Sequence, residues 1–439
     1  MLETRRQHRL RWGAGGLASS ALLLVLLLVW STTTSAAYRD QVHVQTASLA
    51  ATTVPPSHVG LSAHSRMFDT GLGLGGSGDV YVWGRTNLGI NGGAASPGLS
   101  RGAQRVPLPA GSIRQVTGTF QNANALDNQG MVWGWGFLPA RDGTDAIKPN
   151  DTPERVRIDT PSNGTGPVLD RIVTISSTES AAAGIRDDGT VWHWGETTGS
   201  GGNLGAGASQ VVGLPDPSVP GNRPVYLKGA NTNFYLMLEN GDVWYWGGWL
   251  ANSLPAGLGS ADVTPRRIVA LDPWTKSRVG AGEPYITAVD GGINMGGALL
   301  SDGQFLSWGL GSAFVGGRPV VNDLAARDPG IVPGLSGITS MQFGQTGVAM
   351  LDSEGRLWGY GAPLDNGYLP LEVQVISSGV VQFAAGASFF IWQDTAGFFW
   401  GRGFNVAGAI GSPVGSGIGI ANGSSGGRLV TTDLTAVAR

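Results

Sequence analysis

Cysteine is absent from the 439-residue chain. That excludes a disulfide framework, a thiolate metal site and a cysteine nucleophile. Charge is scarce as well: Asp, Glu, Lys and Arg make up 13% of the residues, against about 25% in ordinary globular domains. Net charge is −3, and outside the N-terminus no long basic run occurs, so no nucleic-acid partner is expected. Histidine is limited to His8, His43, His58, His64 and His193. No H-E-x-x-H, metal-spaced His cluster or EF-hand loop can be drawn from the sequence, and no metal or cofactor site is expected. No His follows His193. The G-x-S-x-G match at 423–427 therefore lacks the later His that a nucleophile elbow requires. The G-x-G-x-x-G match at 71–76 lies in a glycine run with a strand after it, where the dinucleotide fingerprint needs a strand before and a helix after.

What the chain has in excess is glycine, 72 residues, together with 15 Trp, and the two recur in phase. A motif opens at Gly78, Gly130, Gly189, Gly241, Gly303, Gly355 and Gly397, with spacings of 52, 59, 52, 62, 52 and 42 residues. Two positions on stands an apolar residue: Val80, Val132, Val191, Val243, Phe305, Leu357 or Phe399. Three on stands a large one: Tyr81, Trp133, Trp192, Trp244, Leu306, Trp358 or Trp400. Position five is Trp83, Trp135, Trp194, Trp246, Trp308 or Tyr360, with Arg402 in the last copy. Position six is always Gly.

Dipeptides such as Asp188-Gly189, Asn240-Gly241 and Asp302-Gly303 accept positive φ and suit hairpin turns. The residues after them alternate between faces. Positions three and five share one face, position two is apolar on the other, and such a strand needs neighbours on both sides. The spacing holds about four short strands, the size of a propeller blade.

These residues resemble the repeats of the regulator-of-chromosome-condensation family, whose V-x-x-W-G is matched by Val80 to Gly84 and Val243 to Gly247. The resemblance spans roughly 67–439, is that of an exported bacterial-type member, and implies an all-β, seven-bladed propeller with about four antiparallel strands per blade. The family's usual residues after Trp-Gly are degraded here, Arg85-Thr86-Asn87-Leu88-Gly89 coming nearest, so the blade-to-blade loops are this protein's own. In the best-known member the propeller promotes nucleotide exchange on a small GTPase in the nucleus. That role ranks third here, because an exported chain would not meet such a partner and no loop matches an exchange wedge.

The propeller is expected over 67–439. The first repeat lacks the strand signal that precedes the others, such as Ile286-Thr287-Ala288-Val289. Leu434-Thr435-Ala436-Val437-Ala438 supplies a similar one at the far end, so closure of the first blade by the C-terminal strand is expected. Residues 1–37 read as a signal peptide or membrane-anchor helix. Arg5, Arg6, Arg9 and Arg11 precede a run of about fourteen mostly apolar residues, and Ser35-Ala36-Ala37 resembles a cleavage site at Ala36 and Ala37. The run is short of the about 20 residues of a span. Residues 37–40, Ala-Tyr-Arg-Asp, resemble the start of mature exported bacterial proteins. Residues 38–66, with Pro55-Pro56, read as a linker.

Glycine-rich pieces at 196–221, 248–265 and 404–427 follow the Trp-Gly closures and read as inter-blade loops on one rim, where binding would reside. Trp249 and Trp274 lie outside the motif and are the possible loop contacts. The repeat indoles are expected in the core, and so is His193. The functional expectation is a noncatalytic binding or scaffold module, secreted or at the cell surface, that holds an unknown protein or an envelope polymer. Its membrane contact would run only through an uncleaved N-terminal segment. The alternative is an extracellular glycan-active enzyme using loop carboxylates. Neither the partner nor the oligomeric state is written in the sequence.

Overall fold

The computed structural model describes residues between Gly60 and Arg428; the longest stretches outside the description are 1–59, 63–69, 86–98, 137–149, 159–165, 248–254, 256–263, 310–316, 319–326, 362–371, 404–426 and 429–439. The signal or anchor segment with Ala36 and Ala37, Trp249, and 434–438 therefore fall outside the described residues.

The architecture is an all-β propeller of seven antiparallel sheets, six of four strands in chain order and one, blade 3, of five, where two short strands share the edge that the fourth strand takes elsewhere. Blade 4 shows the plan: Pro224–Gly229, Asn233–Leu238, Val243–Gly247 and Arg266–Arg267. Each repeat motif forms the hairpin between the second and third strands. All seven opening glycines have positive φ, from 76° to 89°. Each donates its N–H to the carbonyl three residues back, as Gly241 does to Leu238 at 2.8 Å. A tight turn that ends in a left-handed residue needs glycine there, and the same geometry sets the twist of the hairpin.

Alternation then divides the third strand. Position five is almost wholly buried in the six blades with an aromatic there, and position three is half-buried in most blades. Trp246 packs with Ala181, Ala183 and Ile185 of blade 3, whereas Val243 and Tyr245 pack with blade 5. Odd positions therefore face the preceding blade and even positions the following one. Second strands are sandwiched between blades. Asn233–Leu238 and Met295–Leu300 are buried at every residue. Small residues such as Ala181 to Gly184 and Gly296 to Ala298 suit that slot, because both faces must approach a neighbouring sheet.

First strands of successive blades touch all the way round, including that of blade 7, Val380–Ala385, against that of blade 1. They form the inner ring. The first strand of blade 1 is Gly60–Ser62, paired antiparallel with Thr70–Leu74. This corrects the expected closure: the place assigned to 434–438 is filled from the N-terminal side, by residues assigned to the linker, and the blade extends to Gly60. Three residues reading Gly-Leu-Ser carry no strand signal. Their neighbours on the inner ring hold them extended.

A recurrent feature went unread in the sequence. After the fourth strand, Val106, Val156, Val211, Ile268 and Val332 are buried, and each N–H donates to the carbonyl of the position-two residue of its blade at 2.8–2.9 Å. These aliphatics fix the outer edge that the short fourth strands leave open.

Candidate binding face

Strand direction sorts the connections onto two faces. First-to-second turns and third-to-fourth connections leave one face; the glycine turns and blade-to-blade connectors leave the other. Residues 248–265 join the third and fourth strands of blade 4, and 404–426 join Phe399–Gly403 to Gly427–Arg428 in blade 7. The stretch 196–221 holds the end of Val191–Thr197, the short strands Gly202–Asn203 and Ser209–Gln210, and only then the crossing to blade 4. The expected inter-blade loops are therefore intra-blade connections through most of their length. The closing glycine of the motif lies at or near the end of the third strand, not of the blade. In blades 3, 4, 5 and 7 the fourth strand is two residues long, too short for any periodicity to announce it. All three pieces begin on one face, as expected.

Polar side chains on the first strands hold that face together at the axis. Gln115 of blade 2 pairs with the backbone of Ile175 in blade 3, donating to its carbonyl at 2.9 Å and accepting from its N–H at 3.0 Å. Ser176 Oγ accepts from the Gly229 N–H of blade 4 at 2.7 Å. Gly229 has to be glycine, since a Cβ there would lie 2.0 Å from the Ser177 carbonyl oxygen. Lys228 lies 3.3 Å from Asp290 of blade 5, and Asp290 accepts from the N–H groups of Gly291, at 2.8 Å, and of Phe343 in blade 6, at 3.0 Å. Asp290 is 1% exposed. Burial raises its pKa above the usual carboxylate value, against the pull of Lys228 and the two N–H groups.

The seams between blades carry their own polar contacts. Trp194 Nε1 donates to Asn124 Oδ1 at 3.1 Å, and Asn124 Nδ2 donates to Ser177 Oγ at 3.2 Å. Asn124→Ala is expected to cost about 1–3 kcal/mol, read by denaturant titration, because it leaves a fully buried indole N–H without an acceptor. An unchanged midpoint would show that the seam does not rely on it.

On the opposite face Trp274 ends the 3-10 turn Val269–Trp274 in the connector from blade 4 to blade 5. It is half-buried and packs against the core. Arg267 clamps this turn through Asp272 at 2.6 Å and Asp242 at 3.1 Å, with Arg278 also on Asp242 at 2.5 Å. Burial pushes the Asp242 pKa up, but Arg278 and Arg267 outweigh it and hold it below the usual value. Trp274 is thus not on the face from which 248–265 departs. Val212, Val219 and Val269, exposed on the blade-to-blade connectors, were not singled out by the sequence; isolated valines in loops give no periodic signal. His193 is buried, and burial alone lowers its pKa to about 4. Among the described residues no group of three or more metal-ligating side chains occurs, and no helix is long and apolar enough to cross a membrane.

No family model matches the chain. Human E3 ubiquitin-protein ligase HERC2 is 28% identical over 197 residues, 43% of this chain, as is its mouse counterpart. The chain spans about 4% of the length of these curated relatives. Among solved structures, Prp20p of Saccharomyces cerevisiae superposes with a TM-score of 0.61 at 17% identity, covering 85% of this chain and 88% of that one. Yeast RCC1 (Prp20) bound to Kap60 gives 0.60 at 19%, covering 84% and 86%. Human WBSCR16 gives 0.55 at 14%, covering 75% and 85%. Blade count, strand order and these superpositions agree, and the chain has the fold of an RCC1-like seven-bladed propeller.

Proposed function

We propose that this chain is an exported, noncatalytic propeller that binds a protein on the face from which its third-to-fourth connections leave. One observation carries the reading: seven connections of unequal length and composition start from a single face of one ring, whose inner strands are cross-linked by buried polar contacts. Variable loops on a rigid frame are the arrangement in which recognition changes without cost to the fold. Protein binding is also what the structure reports of the similar Prp20 chains name, with Kap60, Gsp1p and histones as partners. Export rests on Arg5 to Arg11, the apolar run at 17–30 and Ser35-Ala36-Ala37. A nucleotide-exchange role is the second reading. It is favoured by the likeness to Prp20 and requires a chain that stays in the cytosol.

The test is cell fractionation of the full chain with intact-mass determination, followed by photocrosslinking from position 249 and, as a control, from Gln129 in a glycine turn. An extracytoplasmic chain with discrete protein adducts from 249 alone is expected. Adducts from Gln129 alone would overturn the choice of face. Retention on an envelope polymer without protein adducts would replace the partner class. An intact cytosolic chain would remove export and leave the exchange role.

A further inference from the structure

Equivalent residues on successive blades make the seams comparable. Across blade 3 the antiparallel register aligns Ser176, Ala183, His193 and Ser209 in one row. The row faces blade 4, because Ser176 Oγ bonds the Gly229 N–H there. Blade 4 answers with Leu227, Phe234, Leu236 and Trp246, which share a buried cluster with Ala183 and Val191.

Position four of one blade meets position five of the next. At the seam between blades 5 and 6 this pair is Ser307 and Tyr360, and their hydroxyls are hydrogen-bonded. Between blades 2 and 3, Asn124 accepts from the position-five Trp194. Between blades 3 and 4 the corresponding residues are His193 and Trp246, with Ala183 in the place of Asn124. Neither His193 Nδ1 nor Trp246 Nε1 has a hydrogen-bond partner there.

We infer that the seam between blades 3 and 4 is an acid-sensitive joint at which protonation of His193 opens the ring. Neutral imidazole tolerates an apolar seam; imidazolium carries two donors and a charge, and the facing indole is a donor only. Among the described residues no carboxylate acts on the ring, and burial is the one influence on its titration. On blade 4, Lys228 reaches Asp290, Tyr226 donates to the Val289 carbonyl, and Tyr245 and Arg266 lie in the row that faces blade 5; Arg267, opposite Trp244 in the row toward blade 3, is paired with Asp242 and Asp272, and Arg223 donates to the Asp187 carbonyl at the turn end. On blade 3 itself, Arg186 pairs with Asp170 at the turn end, and Glu196 stands three residues past His193, beyond Gly195.

The sign follows from linkage. Closed, the imidazole resists protonation until about pH 4; open to water, it takes up its proton near pH 6.5. Between those values acidification favours the open form, and the opening equilibrium should grow on the order of a hundredfold from pH 7 to pH 4.

Hydrogen exchange of the full chain at pH 7 and pH 4, corrected for intrinsic rates, tests this. Protection in Ala181–Arg186 and Asn233–Leu238 is expected to fall about a hundredfold more than in Met295–Leu300. His193→Tyr, which installs the residue of blade 4, and His193→Ser, which installs that of blade 5, should both abolish the difference. A selective loss that persists in both variants, or a uniform fall across all blades in the unmodified chain, overturns the inference.

Discussion

Lys228→Met is expected to destabilise the propeller by about 3–5 kcal/mol, the cost of leaving a buried carboxylate without its cation. The Lys228 ammonium lies 3.3 Å from Asp290, and that carboxylate also accepts N–H bonds from Gly291 and from Phe343. Three consecutive blades thus meet at one buried charge, and methionine keeps the bulk of the lysine stem while removing the compensation. Asp290→Asn should cost less, since an amide oxygen still accepts a backbone N–H. The double variant Lys228→Met with Asp290→Asn should recover part of the loss, which a double-mutant cycle measures directly. The pH dependence has a definite sign. Burial already raises the Asp290 pKa while Lys228 opposes it. Without the lysine the folded-state value rises further above the unfolded one, so the variant regains stability relative to the original chain as pH falls through that higher value. Denaturant midpoints at pH 7 and pH 5 decide the matter. Equal losses at both would mean that the loss does not come from the unpaired charge of Asp290.

The blade count was legible because its signal is local and repeated. Gly78 and its six equivalents must take positive φ, the indoles of positions three and five must alternate with aliphatics, and both demands leave marks at fixed offsets. The inner ring was less legible. Gln115, Ser176, Lys228 and Asp290 occupy similar places on first strands, yet they are four different residue types, and each finds its partner in another blade more than 50 residues away. Only the register of closed blades brings them together. The outer edge left a weak trace: Arg105-Val106, Arg155-Val156 and Arg267-Ile268 put an aliphatic after an arginine at the close of the fourth strand, but Gln210-Val211 and Ile331-Val332 break the pattern. The loop residues were less legible. Trp274 looked like a surface indole because it lies outside the motif among polar residues; in the fold a clamp of Arg267 and Asp272 draws its turn against the core. An isolated tryptophan in sequence says little about which face it serves, since the face is fixed by which strand its loop follows.

Ring closure yields the second large effect. A chain that begins at Ala63 is expected to be less stable than one that begins at Ser57 by at least about 3 kcal/mol, and to exchange amide hydrogens fastest in Thr70–Leu74 and Val380–Ala385. Gly60, Leu61 and Ser62 pair with Leu74, Gly73 and Leu72. Backbone hydrogen bonds contribute about 1 kcal/mol apiece, but the larger loss comes from the neighbours. The same strand packs against the first strands of blades 2 and 7, so its removal strips one side from two seams and turns a closed ring into an open one with an unpaired inner edge. A chain ending after Arg428 keeps all four strands of blade 7, and blade 1 is complete without anything beyond that point. Its melting temperature should match that of the full chain. The two truncations rank closure at opposite ends of the sequence. Were the C-terminal deletion the damaging one and the N-terminal deletion neutral, the strand at 434–438 would be the true clasp, and Gly60–Ser62 an edge that the ring does not need.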